Sequence, residues 1–248
     1  MNKLNPLPLI ALLAGVVFDA TAQPSSPKEA ADLIRGLAAQ QDALAEVPFA
    51  AVVEAATGKK IVPVKAKESE TRKLLAKIES AANAVLRKMN ADGSPAHEER
   101  RINEVSAHFE KALEEELNKI PGFNCSVPTT ASGNIQRSGY PDLRVRDEAT
   151  DRIVYLDPKL YKQNLRGSSL RTFYFTPKVE TNKILDDAHH LIIGFAHDGK
   201  HDGKWKFSNW ELVDLSGFKV RLKAEFQGSN RDLYREEAIV GHGNQKAE

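Results

Sequence analysis

The sequence predicts an α+β protein, with helices in the first half and a mostly antiparallel or mixed sheet in the second. Three observations carry this. Apolar residues recur at helical spacing as far as Ile120, where Pro121-Gly122 stops the pattern. Short β-type runs bounded by turn residues fill the second half. No long internal repeat interrupts this order of helices first and strands after. The chain has 248 residues, 41% apolar and 28% charged. That suits one folded domain plus an accessory segment.

Residues 1–22 read as a secretory signal, which predicts a periplasmic or secreted protein. Lys3 is the positive start, Leu7 to Phe18 the apolar run, and Ala20-Thr21-Ala22 a cleavage site before Gln23. The run of about 12 residues is shorter than the roughly 20 that span a bilayer. Read as structure instead, it is an uncleaved anchor or a buried helix. No later stretch reaches spanning length, so no membrane span is expected in the mature chain.

Residues 23–27 form a Pro- and Ser-rich linker. Pro27 to Glu46 is expected to be helical, with Ala30, Leu33, Ile34, Leu37, Leu44 and Val47 near helical spacing. Residues 58–68, lysine-rich around Pro63, read as a connector. Ser69 is placed to cap a helix striped by Leu74, Leu75, Ile78, Ala82, Val85, Leu86 and Met89. Asp92-Gly93-Ser94-Pro95 breaks the chain. The next helix runs to Ile120 with Ile102, Val105, Phe109, Leu113 and Leu117 on one face. Residues 23–93 are thus an N-terminal helical segment, and 94–248 the remaining domain.

Leu143 to Val145 and Ile153 to Leu156 flank an acidic connector and predict a hairpin. Thr172 to Thr176, His190 to Ala196, Trp205 to Val213 and Phe218 to Phe226 are further expected strands. Asp198-Gly199 and Asp202-Gly203 mark a turn. Asn230 to Ile239 is an expected closing helix.

Several function classes drop out. Cys125 is the only cysteine, so an internal disulfide framework and a cysteine zinc site are excluded, and a buried thiol is expected. There is no G-x-x-x-x-G-K-[ST], G-x-S-x-G or H-E-x-x-H pattern. The net charge of +1 gives no overall basic field, so a nucleic acid needs a local patch.

The chemistry concentrates on the hairpin. Asp142 starts its first strand, and Asp157 and Lys159 end the second. Residues two apart share a face, and antiparallel pairing brings that start beside that end. Asp142, Asp157 and Lys159 can therefore converge. Two adjacent carboxylates repel unless a cation lies between them. Mg²⁺ suits one or two carboxylates and keeps waters for hydrolysis. The same residues also fit an ordinary surface ion pair with Asp142 capping a turn.

Pro141-Asp142, fifteen residues before Asp157-x-Lys159, resembles the PD-(D/E)XK motif of restriction-endonuclease-like nucleases. His108-Phe109-Glu110-Lys111-Ala112-Leu113 with Pro121-Gly122-Phe123 is similar to a helix of archaeal Holliday-junction resolvases. The resemblance covers roughly residues 105–200 and implies a mixed sheet flanked by helices, an α/β/α-like core within residues 94–248. It also implies Mg²⁺- or Mn²⁺-dependent cleavage of DNA. Asp142, Asp157 and Glu110 would be metal-associated, the Pro158 carbonyl a further ligand, and Lys159 would serve the water. Glu98 is the next candidate for the helix glutamate. Proline is unwelcome in a central strand, so an end or bulge of the strand is expected at Pro158. The alternative is an exported, non-catalytic binding protein with this fold and a decayed site.

Residues 137–171 hold eight basic and five acidic side chains. Arg137, Lys162, Arg166 and Arg171 are the expected phosphate contacts; a polar loop fits them as well. Paired nicks in duplex DNA imply a homodimer, though no dimer seam is visible. His189, His190, His197, Asp198, His201 and Asp202 can bind zinc or nickel, or simply form a solvated turn. Phe173-Tyr174-Phe175, Trp205 and Trp210 can stack bases, or pack in a sheet.

Overall fold

The computed structural model describes residues 26–136, 138–170, 173–241 and 243, with no side-chain description for Asp42. The expected leader, residues 1–22, lies outside the described residues, as do Arg137 and Arg171.

Two compact units divide the chain. The first contains α1 (Pro27–Ala43) and, after residue 221, a four-residue helix. Here the Leu222 amide donates to the Leu44 carbonyl at 3.0 Å.

The second unit, Ala45–Arg221, carries the sheet. It runs β1 (Val47–Pro48), α2 (Phe49–Thr57), α3 (Ser69–Asn90), α4 (Ile102–Asn118) and β2 (Phe123–Ser126). Then come β3 (Leu143–Asp147), β4 (Arg152–Lys162), β5 (His189–His201), β6 (Lys204–Asp214) and β7 (Lys219–Val220). The five-stranded order is β2-β3-β4-β5-β6, and β1 pairs with β7 separately. β4 and β5 are parallel and the other neighbours antiparallel. The expected α+β class with a mixed sheet holds, consistent with a restriction-endonuclease-like core.

Local signals explain the long helices. α3 has Glu70 in its first turn and Arg87 and Lys88 in its last, which suits the helix dipole. In α4 the Arg101 amide donates to the Glu104 carboxylate at 2.9 Å, closing the N-terminus. Their apolar stripes pack on one sheet face. Phe109 lies between Phe195 and Phe207, at centroid distances of 4.6 and 4.8 Å. Burying each such side chain stabilises by about 1.5–3 kcal/mol.

β4 separates two cores. Val154 and Leu156 join the cluster under α3 and α4, whereas Ile153 and Tyr155 join a second cluster around Phe49 of α2. Asp157 pairs with Ile192, which also packs on the second cluster, so Asp157 projects from that face.

Several expectations are corrected. Glu68, not Ser69, holds the N-cap position of α3, without a side-chain cap hydrogen bond, and Ser69 is already helical. The 173–176 segment is not a strand: Phe173 and Phe175 pack edge-on against Phe49. Only Lys219–Val220 of the 218–226 strand forms, because β1 offers just two residues to pair with. The closing helix is one short helix, α5 (Asn230–Leu233), followed by a 3₁₀ turn at Glu236–Ala238. β4 neither ends nor bulges at Pro158; it continues to Lys162. Its ladder with β3 stops at Leu156, so beyond that point one side of β4 asks for no amide.

Candidate active site

Leu143 is paired with Leu156, so the next residues outward, Asp142 and Asp157, emerge together where the β3–β4 ladder ends. Both point away from the α3/α4 core. Lys159 follows on the same face. Its ammonium forms ion pairs with both carboxylates, in direct contact with Asp157 and 3.7 Å from Asp142.

Asp157 is 2% exposed. Burial raises its pKa well above the ordinary carboxylate range, Lys159 pulls it down, and Asp142 pushes it up again. Asp157 Oδ2 receives no well-directed hydrogen bond among the described residues, and its compensation comes from the charge of Lys159. A buried carboxylate oxygen of that kind beside a second carboxylate suits a hard divalent cation. The residues present therefore fit Mg²⁺ or Mn²⁺. The hairpin brings Asp142, Asp157 and Lys159 together.

Glu110 sits on α4, and its charge reaches the same buried lysine that Asp142 and Asp157 act on, Lys183 in the crossover before β5. Among the described residues no group of three or more His, Cys, Asp or Glu side chains is arranged to hold a metal ion. Glu98 caps the 3₁₀ turn Pro95–His97 at its C-terminal end.

A residue without any motif joins them. Lys183 lies in the crossover before β5, is 1% exposed, and its Nζ has no hydrogen-bond partner among the described residues. Burial pushes its pKa down, while Asp142, Asp157 and Glu110 push it up. A lone lysine in a polar loop carries no spacing signal.

Tyr140 sits two residues before Asp142. Its hydroxyl is 2.8 Å from His190 Nδ1, deep in the second cluster. Asp157, Tyr155 and Asp142 add to burial in raising the Tyr140 pKa.

Of the expected phosphate contacts, Lys162 is exposed at the end of β4. Arg166 is engaged by Glu211 through two hydrogen bonds of 2.8 and 2.7 Å. The histidines are structural: His189 Nδ1 meets the Val62 carbonyl at 2.8 Å, and His197 Nδ1 accepts from the Gly199 amide at 3.2 Å. Trp205 and Trp210 donate to the Glu99 carbonyl and to Asn83, at 3.0 and 2.8 Å. They anchor β6. Burial raises the Cys125 pKa to about 12, with a smaller push from Glu114, so its thiol is inert.

Residues 43–237 match the family model described as the Type II restriction enzyme MjaV family. The chain belongs to that family. The matched region begins after the residues read as a leader and includes Glu110, Asp142, Asp157, Lys159 and Lys183. The Type II restriction enzyme MjaV of Methanocaldococcus jannaschii is 30% identical over 205 residues, covering 79% of this chain and 88% of that protein. Membership in the MjaV family places the chain among restriction enzymes, a nuclease class. No helix among the described residues is long and apolar enough to cross a membrane.

Proposed function

We propose that this protein is a DNA endonuclease that hydrolyses phosphodiester bonds at Asp142, Asp157 and Lys159 with one bound divalent ion, Mg²⁺ or Mn²⁺. Membership in a restriction-enzyme family supports the reaction class. The observation that carries the site is the convergence of two carboxylates on one lysine at the end of the β3–β4 ladder.

Asp142 and Asp157 would hold the ion, with the Pro158 carbonyl beside them. Bound there, the ion would polarise the phosphate and acidify the attacking water. The side chains do the rest. Asp157 is fixed by a strand paired on its β5 side, which holds its carboxylate in place. Lys159, drawn to both carboxylates in the metal-free protein, turns to the attacking water or to the charge growing on the phosphate. The water oxygen bonds to phosphorus, one P–O ester bond breaks, and the leaving oxygen is protonated. Lys162 supports the backbone of the DNA from the adjoining strand end. We extend the proposal to a homodimer, because cutting both strands of a duplex at once takes two such sites.

The test pairs calorimetric Mg²⁺ and Mn²⁺ titration with nicking of supercoiled plasmid, in wild type and Asp157→Ala. The expected result is metal binding and nicking in wild type and loss of both in the variant, with its circular dichroism unchanged. Salt-sensitive DNA binding without metal-dependent cleavage in wild type would replace this reading with that of a binding protein whose site has decayed.

A further inference from the structure

The crossover between β4 and β5 pins Lys183 on both sides. Before it, the Asn182 side chain brackets the chain, accepting from the Ile184 amide at 2.9 Å and donating to its carbonyl at 3.1 Å. After it, Ile184 is fully buried in the second cluster. The Tyr155 hydroxyl accepts from the Leu185 amide at 2.9 Å and donates to Asp186 at 2.7 Å. Arg144 grips Asp186 with two hydrogen bonds of 2.8 and 3.1 Å. Arg144 and Tyr155 belong to β3 and β4. The loop bearing Lys183 is thus fastened to the two strands that present Asp142 and Asp157.

An ammonium buried without a hydrogen bond is a costly choice. Methionine would fill similar space without the penalty. The field of Asp142, Asp157 and Glu110, all of which act on Lys183, offsets part of that cost. Lys159 cannot fill this role alone, since it is partly exposed and already engaged with Asp142 and Asp157. Three acidic groups against two lysines leave the ionised site one negative charge. A single divalent ion reverses that charge, and a second would add two more positive charges to a buried place.

We infer that Lys183 is a resident counter-cation of the acidic site: it cancels part of the charge that would draw a second metal ion and limits the site to one divalent ion. It acts through Asp142 and Asp157 and is a positioning residue. The inference rests on the proposed metal-dependent reading, and its test separates the two.

The full chain, wild type and Lys183→Met, is titrated calorimetrically with Mn²⁺ and with Mg²⁺, without DNA. Wild type is expected to bind one ion per chain. The variant is expected to bind the first ion roughly tenfold more tightly, or to take up a second, because a like charge beside the carboxylates has gone. A residue that merely packs would leave affinity unchanged or weaken it. Lys183→Gln, which keeps length and polarity without charge, is read in the same way should the methionine variant not fold. Unchanged or weaker binding in the folded variants overturns the counter-cation role and leaves the metal site standing. No binding in wild type overturns both.

Discussion

The Tyr140 hydroxyl lies 2.8 Å from Nδ1 of His190. Burial holds the His190 pKa down to about 4, so the imidazole is neutral and its Nδ1 shares one hydrogen bond with the tyrosine hydroxyl. The bond ties β5 to the residue two before Asp142.

Removing that hydroxyl leaves a buried nitrogen with no partner among the described residues. Tyr140→Phe is expected to lose about 1–3 kcal/mol of stability in urea unfolding. Nicking is expected to fall further than stability alone explains, because Asp142 loses its anchor. A variant with wild-type activity would break the link between this pair and the carboxylate.

The same histidine sets an acid limit. A group whose folded pKa is depressed contributes stability that is full above its unfolded pKa and is lost as pH falls. For His190 the loss begins near pH 6.5 and is complete near pH 4, and is worth on the order of 3 kcal/mol. His190→Gln is expected to remove this part of the acid slope, measured as the difference between the two stability curves from pH 4 to 7.

Asp157 acts in the opposite direction. Its folded pKa is raised, so its contribution is full at low pH and is lost as pH rises through that value. Asp157→Asn is therefore expected to raise the melting temperature of the metal-free protein at pH 8.5, by about 2–4 °C for each kcal/mol recovered, and to change little at pH 5. Added Mn²⁺ should stabilise wild type and leave the variant where it was.

The phosphate-binding expectation has a salt signature. Lys162→Ala is expected to weaken DNA binding and to lower the slope of log affinity against log salt by about 0.9. Glu211→Gln, which releases Arg166 from its carboxylate, is expected to strengthen binding at low salt. No change in either variant would exclude this edge of the sheet from the DNA interface.

The expected leader has its own readout. Mass spectrometry of protein recovered from the native host is expected to give Gln23 as the mature N-terminus; a chain beginning at Met1 would refute export.

The parts of this molecule that were legible are those with a sustained period. α3 and α4 carry stripes several turns long, and the β3–β4 hairpin has β-type runs on each side of an acidic turn. Asp142, Asp157 and Lys159 followed from that hairpin by strand alternation alone. What stayed hidden has no period. α2 has nine residues and no side-chain cap, and β2 has four residues directly behind Pro121-Gly122. The Phe173-Tyr174-Phe175 run mimicked a strand, because aromatic residues that pack as a loop over α2 have the same composition as a sheet. Glu110 lay on the expected helix, but its sheet face depends on how α4 crosses the strands. Lys183 gains its meaning from a crossover that brings residue 183 to residues 142 and 157.

β4 sends Tyr155 to one core, Leu156 to the other, and Asp157 and Lys159 to the candidate site. For protein engineering this makes the strand a frame-sensitive message. An extra residue in the Glu148–Asp151 connector would be absorbed at the surface, leaving every later side chain on its own face. The same insertion between Val154 and Asp157 would turn the carboxylate toward the helices and put Pro158 in its place at the candidate site. Fusions and tags belong in the first place and never in the second.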